Sequence, residues 1–208
     1  MKRKFIEQSV VVASHNRGKV VEISKLLVPY KINTISAKDL NLSEPEENGH
    51  TFIENAEIKA RAASRGSGLA ALADDSGLVI PILGGEPGIF SARWASNSNN
   101  SLNGFAAAIH KIKHAIEKTG EDPERQEASF VCALSLCWPD GVIVSYEGII
   151  NGSLTFPPRG NKGFGYDPIF IPKNQQLTFG EMNQTKKHRI SHRAAAFEKL
   201  IGHFAVEP

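Results

Sequence analysis

A short apolar segment near the start of the chain leads at once into a polar loop and an amphipathic helix. This order restricts the fold more than any other pattern in the sequence. Residues 9–13 read Ser-Val-Val-Val-Ala, residues 14–17 are polar, and Val20, Ile23 and Leu26 then recur at helical spacing. A strand, a tight loop and a helix in succession are typical of α/β proteins. The amides at the start of such a helix favour an anion.

Later segments repeat the helical pattern. Residues 51–54 read Thr-Phe-Ile-Glu, a capping box that predicts a helix start, and Gly66 or Gly68 would end that helix. A second capping box is predicted at residues 178–181, and Ser191 would cap a final helix. The core face of another long helix is formed by Phe105, Ile109, Ile112 and Ile116.

The remaining apolar runs are strand-like. Residues 69–73 form an apolar run that leads into Asp-Asp-Ser-Gly at residues 74–77. Residues 128–138 and 142–150 are rich in β-formers, and Pro-Asp-Gly at residues 139–141 predicts an antiparallel turn between them. Helices that alternate with parallel-type strands, together with a hairpin, predict an α/β fold with a mixed sheet.

The composition limits the kind of partner. The chain has 208 residues with 24 Lys and Arg against 22 Asp and Glu, so its net charge is +2. Such a balance argues against general nucleic-acid or anionic-membrane binding, and no apolar run approaches the roughly 20 residues of a membrane span. Cys132 and Cys137 lie five apart in a strand-like run, so they face opposite sides and do not pair. We expect a reduced, cytoplasmic protein.

The polar loop is the first candidate for chemistry. Residues 14–19 read Ser-His-Asn-Arg-Gly-Lys, and the helix-start amides with the Lys19 ammonium would grip anionic oxygens. The segment is not a P-loop, because Ala13 stands where glycine is required and Val20 where Ser or Thr is required. An ordinary strand-to-helix turn with a surface lysine is the alternative interpretation.

The carboxylates at residues 74–77 are the second candidate. They are expected at the carboxyl end of a strand, where ligand crevices form, with only one of Asp74 and Asp75 facing the crevice. Carboxylate oxygens suit Mg²⁺, and the acidic loop at residues 44–47 would supply a second ligand. A plain Asp-Ser-Gly turn beside a solvated acidic loop is the alternative.

A glycine-rich loop at residues 157–168 is the third candidate. It carries cations, amides and two aromatic residues, so its backbone would approach a ligand while a ring stacks on a base. The alternative is a long connection with Phe164 in the core.

A basic run at residues 186–193 is the fourth candidate. It reads Lys-Lys-His-Arg-Ile-Ser-His-Arg, with four cations in eight residues and no acid. Because no other basic stretch supports a nucleic-acid patch, the run fits the anion-facing side of a small-ligand site better.

In their order along the chain, these motifs resemble the inosine triphosphate pyrophosphatase family. The resemblance spans roughly residues 9–201 and includes two further blocks, Thr-Phe-Ile-Glu-Asn-Ala at residues 51–56 and Pro-Gly-Ile-Phe-Ser-Ala-Arg at residues 87–93. It also includes Gly-Phe-Gly-Tyr-Asp-Pro at residues 163–168 and Ser-His-Arg at residues 191–193. The family commonly has Thr-Gly-Asn in its first motif, whereas Ser14-His15 replaces Thr-Gly here.

The resemblance implies a fold and a reaction. The fold is an elongated mixed β-sheet with flanking helices, with residues 1–208 as a single domain of two lobes around a central active-site cleft, in a homodimer. The reaction is the hydrolysis of non-standard purine nucleoside triphosphates (ITP, dITP and XTP) to the monophosphate and pyrophosphate, with Mg²⁺ as cofactor. The alternatives are a pyrophosphatase of different base preference and a non-catalytic nucleotide- or RNA-binding module.

The resemblance also implies site residues. Asp75 would be the catalytic residue, which orients or deprotonates the attacking water, and Glu47 with Asp75 would hold the metal. Phe164 would stack on the base, and Asp167, His192 and Arg193 would line the base pocket. The complete set of implied substrate-binding residues is Ser14, His15, Asn16, Arg17, Gly18, Lys19, Ser76, Phe164, Gly165, Tyr166, Asp167, Lys187, His192 and Arg193.

Overall fold

The structure is a computed structural model of the chain and describes residues 3–96 and 104–204. Within these residues the chain forms six strands and six α-helices. The strands are β1 Ser9–Val12, β2 Asn33–Ser36, β3 Ala71–Val79, β4 Glu127–Cys137, β5 Ile143–Leu154 and β6 Phe170–Pro172. The helices are α1 Arg17–Leu27, α2 Phe52–Ser67, α3 Ser91–Ser96, α4 Gly104–Glu117, α5 Gln184–Ile190 and α6 His192–Leu200.

The six strands form one mixed sheet in the order β2-β1-β3-β4-β5-β6. β1 runs parallel to both of its neighbours, with Val11 opposite Ile35 of β2 and Ala71 of β3. β6 is antiparallel to β5, with Phe170 opposite Leu154. The mixed sheet and the accompanying helices confirm the predicted α/β class.

The chain forms two compact units. The first unit comprises the described parts of residues 1–75, 132–148 and 192–208, and the second unit comprises those of residues 76–131 and 149–191. That the whole chain acts as a single two-lobed domain stays a prediction.

The core of the first unit lies on both faces of its strands. Val10, Val12 and Leu72 share a buried cluster with residues of α1 and α6, whereas Val11 and Ala73 belong to a second cluster with alanines of α2. Successive strand residues point to opposite faces, which explains this division. Cys132 and Cys137 fall into the two different clusters and are both free and buried, as predicted.

The second unit has its own aromatic core. Phe130, Phe170 and Phe179 pack together there, with the rings of Phe130 and Phe170 centred 4.7 Å apart. Ile112 and Ile116 of α4 are fully buried in the same core, as the helical spacing predicts. None of the described helices is long and apolar enough to cross a membrane.

The capping box predicted at Thr51 is present. Thr51 Oγ1 accepts from the Glu54 amide at 3.1 Å, and Glu54 Oε2 accepts from the Thr51 amide at 3.2 Å. The helix ends at Gly68, whose φ of +69° is the left-handed conformation that glycine adopts without strain.

Two local predictions are wrong. The reciprocal hydrogen bonds of the capping box predicted at residues 178–181 are present between Thr178 and Glu181, but they close a turn and no helix starts there. The helix α5 begins after Asn183, whose side chain accepts from the Thr185 amide at 2.8 Å. The segment at residues 74–77 is not a turn at a strand end either, because β3 continues through it to Val79. Lys19 and Arg193 pair with Asp74, and Lys59 pairs with Asp75, so both carboxylates have cationic partners within the strand.

Candidate active site

The loop between β1 and α1 is closed by its own side chains. Asn16 is the N-cap of α1, and its Oδ1 accepts from the amides of Gly18 at 2.9 Å and Lys19 at 3.2 Å. The Asn16 amide in turn donates to Ser14 Oγ at 3.2 Å. The prediction that the helix-start amides grip anionic oxygens is therefore wrong for Gly18 and Lys19 in this structure, because the Asn16 side chain accepts a hydrogen bond from each of them.

The other predicted members of this loop point in different directions. Ser14 is buried, and Arg17 is exposed. His15, which stands where the family commonly has glycine, places Nε2 3.1 Å from the Leu42 carbonyl oxygen and Nδ1 3.8 Å from Glu44 Oε2. The His15 ring thus lies against the start of the acidic loop.

A buried cluster of charges surrounds Asp74. Its Oδ1 pairs with the Lys19 ammonium at 2.7 Å, and its Oδ2 accepts from Arg193 Nε at 2.8 Å and from the Cys132 thiol at 2.9 Å. Arg193 also pairs with Glu22, which lies one turn after Lys19 on α1. Asp74, Glu22 and Arg193 are all at most 4% exposed. Two acids and two bases therefore lie together and neutralise one another, with the Lys19 side chain still 15% exposed; we name this set the Asp74 cluster.

The electrostatics of this cluster favour an ionised Asp74. Burial by itself would raise the pKa of Asp74, but the Arg193 guanidinium and then the Lys19 ammonium outweigh burial and hold it well below its usual range. Burial and the adjacent Asp74 carboxylate raise the pKa of the Cys132 thiol well above its usual range. Cys132 is thus a protonated donor, and Asp74 is a fixed anion.

The second carboxylate, Asp75, points to different partners. Lys59 of α2 places its ammonium 2.9 Å from Asp75 Oδ1 and 2.5 Å from Glu47 Oε1. The side chains of Lys59 and Asp75 are each 7% exposed. The structure therefore brings together Glu47 and Asp75, the two predicted metal ligands, with Lys59 between them. We name these three residues the Lys59 cluster.

In the Lys59 cluster one ammonium forms ion pairs with two carboxylates. Burial of Asp75 raises its pKa, because desolvation outweighs the attraction of Lys59 and of Lys19. Burial would lower the pKa of Lys59, but Asp75 and Glu47 together outweigh it and raise that pKa. A carboxylate with a raised pKa is a better proton acceptor, which suits the role predicted for Asp75.

The Lys59 cluster fits a hard divalent cation. Asp75 Oδ2 is buried and receives no hydrogen bond from any residue that the structure describes. Mg²⁺ is held by one or two carboxylates and completes its shell with water and phosphate oxygens. Among the described residues, no group of three or more His, Cys, Asp or Glu side chains is arranged to hold a metal ion, so Glu47 and Asp75 suit Mg²⁺ better than a metal held by protein alone.

The loop that carries Glu47 is fixed by the start of α2. Asn55 is fully buried, and its Oδ1 accepts from the Gly49 amide at 2.9 Å. Glu54 Oε2 accepts from the His50 amide at 2.6 Å. A Cβ at position 49 would lie 2.7 Å from Asn55 Oδ1 and 2.7 Å from Glu54 Cβ. Only glycine allows this close approach, which holds the chain two residues after Glu47.

Gly49→Ala is expected to destabilise the protein by roughly 1–3 kcal/mol, because the methyl group must displace the Asn55 carboxamide and break its bond. Thermal unfolding measures this loss. Asn48→Ala, at the exposed neighbouring position, is the control and should change stability by less than about 0.5 kcal/mol. Equal stability of the two variants would contradict the fixed loop.

The second unit contains a separate set of predicted residues. Asp167 is buried, and its Oδ2 accepts from the Lys187 ammonium at 2.5 Å and from the Phe164 amide at 2.8 Å. A Cβ at Gly163, where φ is +78°, would overlap this carboxylate. The Lys187 ammonium lies 4.8 Å from the centre of the half-buried Phe164 ring. Asp167 thus fixes both the glycine-rich loop and Lys187.

Other predicted residues occupy less exposed positions than the sequence suggests. Tyr166 is a core residue whose hydroxyl donates to the Ser91 carbonyl at 2.9 Å, and Gly165 lies beside it with a φ of +68°. Ser76 is a half-buried residue inside β3, and His192 is buried at the start of α6. Two of the four cations in the basic run, Lys187 and Arg193, are buried against carboxylates and so are not a free cationic surface.

Three buried residues in or beside these clusters, Lys59, Glu22 and Asn55, were not predicted. Lys59 lies among Ala56, Ala60 and Ala63, the apolar stripe of α2, and a lysine inside such a stripe is the signal that marks it. Glu22 lies one turn after Lys19 and next to the apolar Ile23, which is a similar signal. For Asn55, sequence spacing offers no signal, because its contact is with the backbone of a loop.

Comparison with known proteins agrees with the fold and with the motifs. The sequence model of the Ham1 family matches residues 10–203. The chain is 51% identical over 199 residues to the dITP/XTP pyrophosphatase of Rhodospirillum centenum, covering 96% of each chain. It is 47% identical over 208 residues to the dITP/XTP pyrophosphatase of Agrobacterium fabrum, covering 96% of this chain and 97% of that one.

A solved structure gives the same result. The HAM1 protein from Coxiella burnetii superposes with a TM-score of 0.81 at 40% identity, over 93% of this chain and 96% of that chain. The resemblance drawn from the motifs is thereby confirmed, since the family match covers nearly the whole chain and agrees with the fold. This chain belongs to the Ham1 family.

Proposed function

We propose that this protein hydrolyses non-standard purine nucleoside triphosphates, namely dITP, XTP and ITP, to the nucleoside monophosphate and pyrophosphate. The observation that carries the proposal is the Lys59 cluster, in which two carboxylates lie beside a lysine and Asp75 Oδ2 has no hydrogen-bond partner among the described residues. Relatives that are 51% and 47% identical bear the name dITP/XTP pyrophosphatase, which supports the same substrate class.

In the first unit, Lys19 is the proposed triphosphate contact. Its side chain is 15% exposed, and Asp74 holds its ammonium in one place. Ser14 and Asn16 set the backbone of the same loop. A triphosphate and its transition state are strongly anionic, so positioned cations supply most of the stabilisation.

Glu47 and Asp75 would hold Mg²⁺, which when bound neutralises phosphate charge and lowers the pKa of a coordinated water. The oxygen of an attacking water would form a bond to the α-phosphorus while the bond from that phosphorus to the bridging oxygen of the β-phosphate breaks. Asp75 would accept the proton of that water, and pyrophosphate would leave. The raised pKa of Asp75, caused mainly by burial, favours this acceptance.

In the second unit, the half-buried Phe164 ring is the proposed stacking surface for the purine. Hypoxanthine and xanthine carry a keto oxygen at C6 where adenine carries an amino group. In a pocket that donates hydrogen bonds to that oxygen, the donors of the protein would have no acceptor when adenine binds. Each buried donor left unpaired would weaken adenine binding by about 1–3 kcal/mol. The roles of His192 and Arg193 in the base pocket stay predictions, as do the homodimer and the cytoplasmic location.

The test is incubation of the purified protein with ITP, XTP, ATP, GTP and dUTP, with and without MgCl₂. We expect pyrophosphate and the monophosphate from ITP and XTP only when Mg²⁺ is present, with kcat/KM at least about tenfold above that for ATP. Release of orthophosphate without pyrophosphate would contradict the reaction, and preference for dUTP would contradict the substrate class. Tight nucleotide binding without turnover would indicate a binding module instead.

A further inference from the structure

Lys59 occupies an unusual position for a surface-helix lysine. Its ammonium is 2.5 Å from Glu47 Oε1 and 2.9 Å from Asp75 Oδ1, and its side chain is 7% exposed. Each of the two carboxylates proposed as metal ligands therefore already has one oxygen engaged by a cation of the protein itself. The three groups together carry a charge of −1.

We propose that Lys59 is an internal counter-cation that keeps the Glu47–Asp75 pair from binding a free divalent ion tightly, so that the metal is taken up together with the triphosphate. This inference rests on the proposed function, because it concerns the same two carboxylates. It adds to that function the expectation that metal and nucleotide bind together. When the two carboxylates bind the metal, the Lys59 ammonium pairs with the negative charge of the triphosphate instead.

Two physical arguments support the proposal. A divalent cation near Asp75 Oδ2 would lie close to an ammonium of the same sign, and this repulsion is strong where water is largely excluded. The ammonium also competes directly for the oxygens that a metal would use, since it bonds Glu47 Oε1 and Asp75 Oδ1. A triphosphate reverses both effects, because its oxygens complete the metal shell and attract the lysine.

A purely structural role for Lys59 leads to the opposite expectation. If the lysine only oriented the two carboxylates for the metal, its removal would disorder them and weaken metal binding. The sign of the change in metal affinity therefore separates the two roles. The metal affinity is measured on nucleotide-free protein, because a substitution of Lys59 could otherwise change metal binding by removing a contact with the phosphates of the nucleotide.

The experiment measures Mn²⁺ binding to nucleotide-free protein by the electron paramagnetic resonance signal of free Mn²⁺. Lys59→Met and Lys59→Gln remove the charge, and Lys59→Arg keeps it. We expect at least tenfold tighter Mn²⁺ binding by the Met and Gln variants than by the wild type, and wild-type-like binding by the Arg variant. The double variant Lys59→Gln, Asp75→Asn should lose this increase in Mn²⁺ affinity, which would assign the added Mn²⁺ binding to the Glu47–Asp75 pair.

Unchanged or weaker Mn²⁺ binding by Lys59→Gln would overturn the proposal. An increase in Mn²⁺ affinity as large in Lys59→Arg as in Lys59→Gln would overturn it as well. Thermal unfolding provides a second measurement if Lys59→Met is unstable, because the buried Asp75 and the partly buried Glu47 then lose the ammonium that they share. MnCl₂ should raise the Tm of that variant by more than it raises the Tm of the wild type. An equal or smaller rise would contradict the proposal.

Neither measurement depends on turnover. A wild type that fails to release pyrophosphate from ITP would therefore overturn the proposed function, while the Mn²⁺ results would still decide the role of Lys59.

Discussion

Asp75→Asn is expected to lower kcat/KM for ITP by about 10²–10⁴-fold, the range that a positioned general base contributes. The asparagine keeps the shape of the side chain but neither accepts the proton of the attacking water nor supplies an anionic ligand to Mg²⁺. Pyrophosphate release under saturating MgCl₂ measures the effect. Asp140→Asn, at an exposed turn, is the control and should leave kcat/KM within about twofold of the wild type.

The same substitution is expected to leave the free energy of unfolding unchanged or slightly higher. Burial raises the pKa of Asp75 in the folded protein above its value in the unfolded chain. The ionised Asp75 therefore lowers the free energy of unfolding at pH values above the folded pKa, and this loss disappears as the pH falls through the folded pKa. Asparagine removes the loss at neutral pH and leaves Lys59 paired with Glu47. A Tm lowered by many degrees together with the lost activity would assign Asp75 a structural role instead.

Local patterns were sufficient for the elements that lie next to the site. The Thr51 capping box and the apolar spacing of α1 depend on residues within one or two turns, so the sequence predicts them directly. The alternation of strand residues likewise predicted that Asp74 and Asp75 would point to different sides. Their partners are indeed different, with Lys19 and Arg193 for Asp74 and Lys59 for Asp75.

The failures have a common physical cause. Asp-Asp-Ser-Gly has turn propensity, yet β3 runs through it, and cations that are distant in sequence compensate two carboxylates that would otherwise be costly to bury. Arg193 is 119 positions from Asp74 in sequence, and no spacing rule shows that they meet. Glu47 and Asp75 were paired through the family resemblance. The apolar stripe of α2 marks Lys59 in the sequence, but only the structure shows that its ammonium lies between these two carboxylates.

Asp74→Asn is expected to destabilise the protein by about 3–5 kcal/mol, in contrast to the change at the next residue. It removes the carboxylate that pairs with both the partly exposed Lys19 and the buried Arg193, and Glu22 then remains as the one acid of the Asp74 cluster, so positive charge at a largely buried site loses its compensation. For a chain of 208 residues this corresponds to a fall in Tm of roughly 6–20 °C. Differential scanning calorimetry of the Asp74→Asn and Asp75→Asn variants makes the comparison within one strand.

The pH dependence identifies the cause of this loss. The pKa of Asp74 is held well below its usual range in the folded protein, so its ionisation contributes stability that is fully present above the unfolded value, about 3.9, and is lost as the pH falls further. The difference in unfolding free energy between wild type and Asp74→Asn should therefore be constant at neutral pH and shrink below about pH 4. A difference that stays constant down to pH 2 would contradict the charge argument and indicate lost packing instead.

Cys132→Ala is the matched comparison, because it removes a neutral donor to the same oxygen of Asp74. It should lower the free energy of unfolding by less than Asp74→Asn does, and this smaller loss should not follow the titration of Asp74.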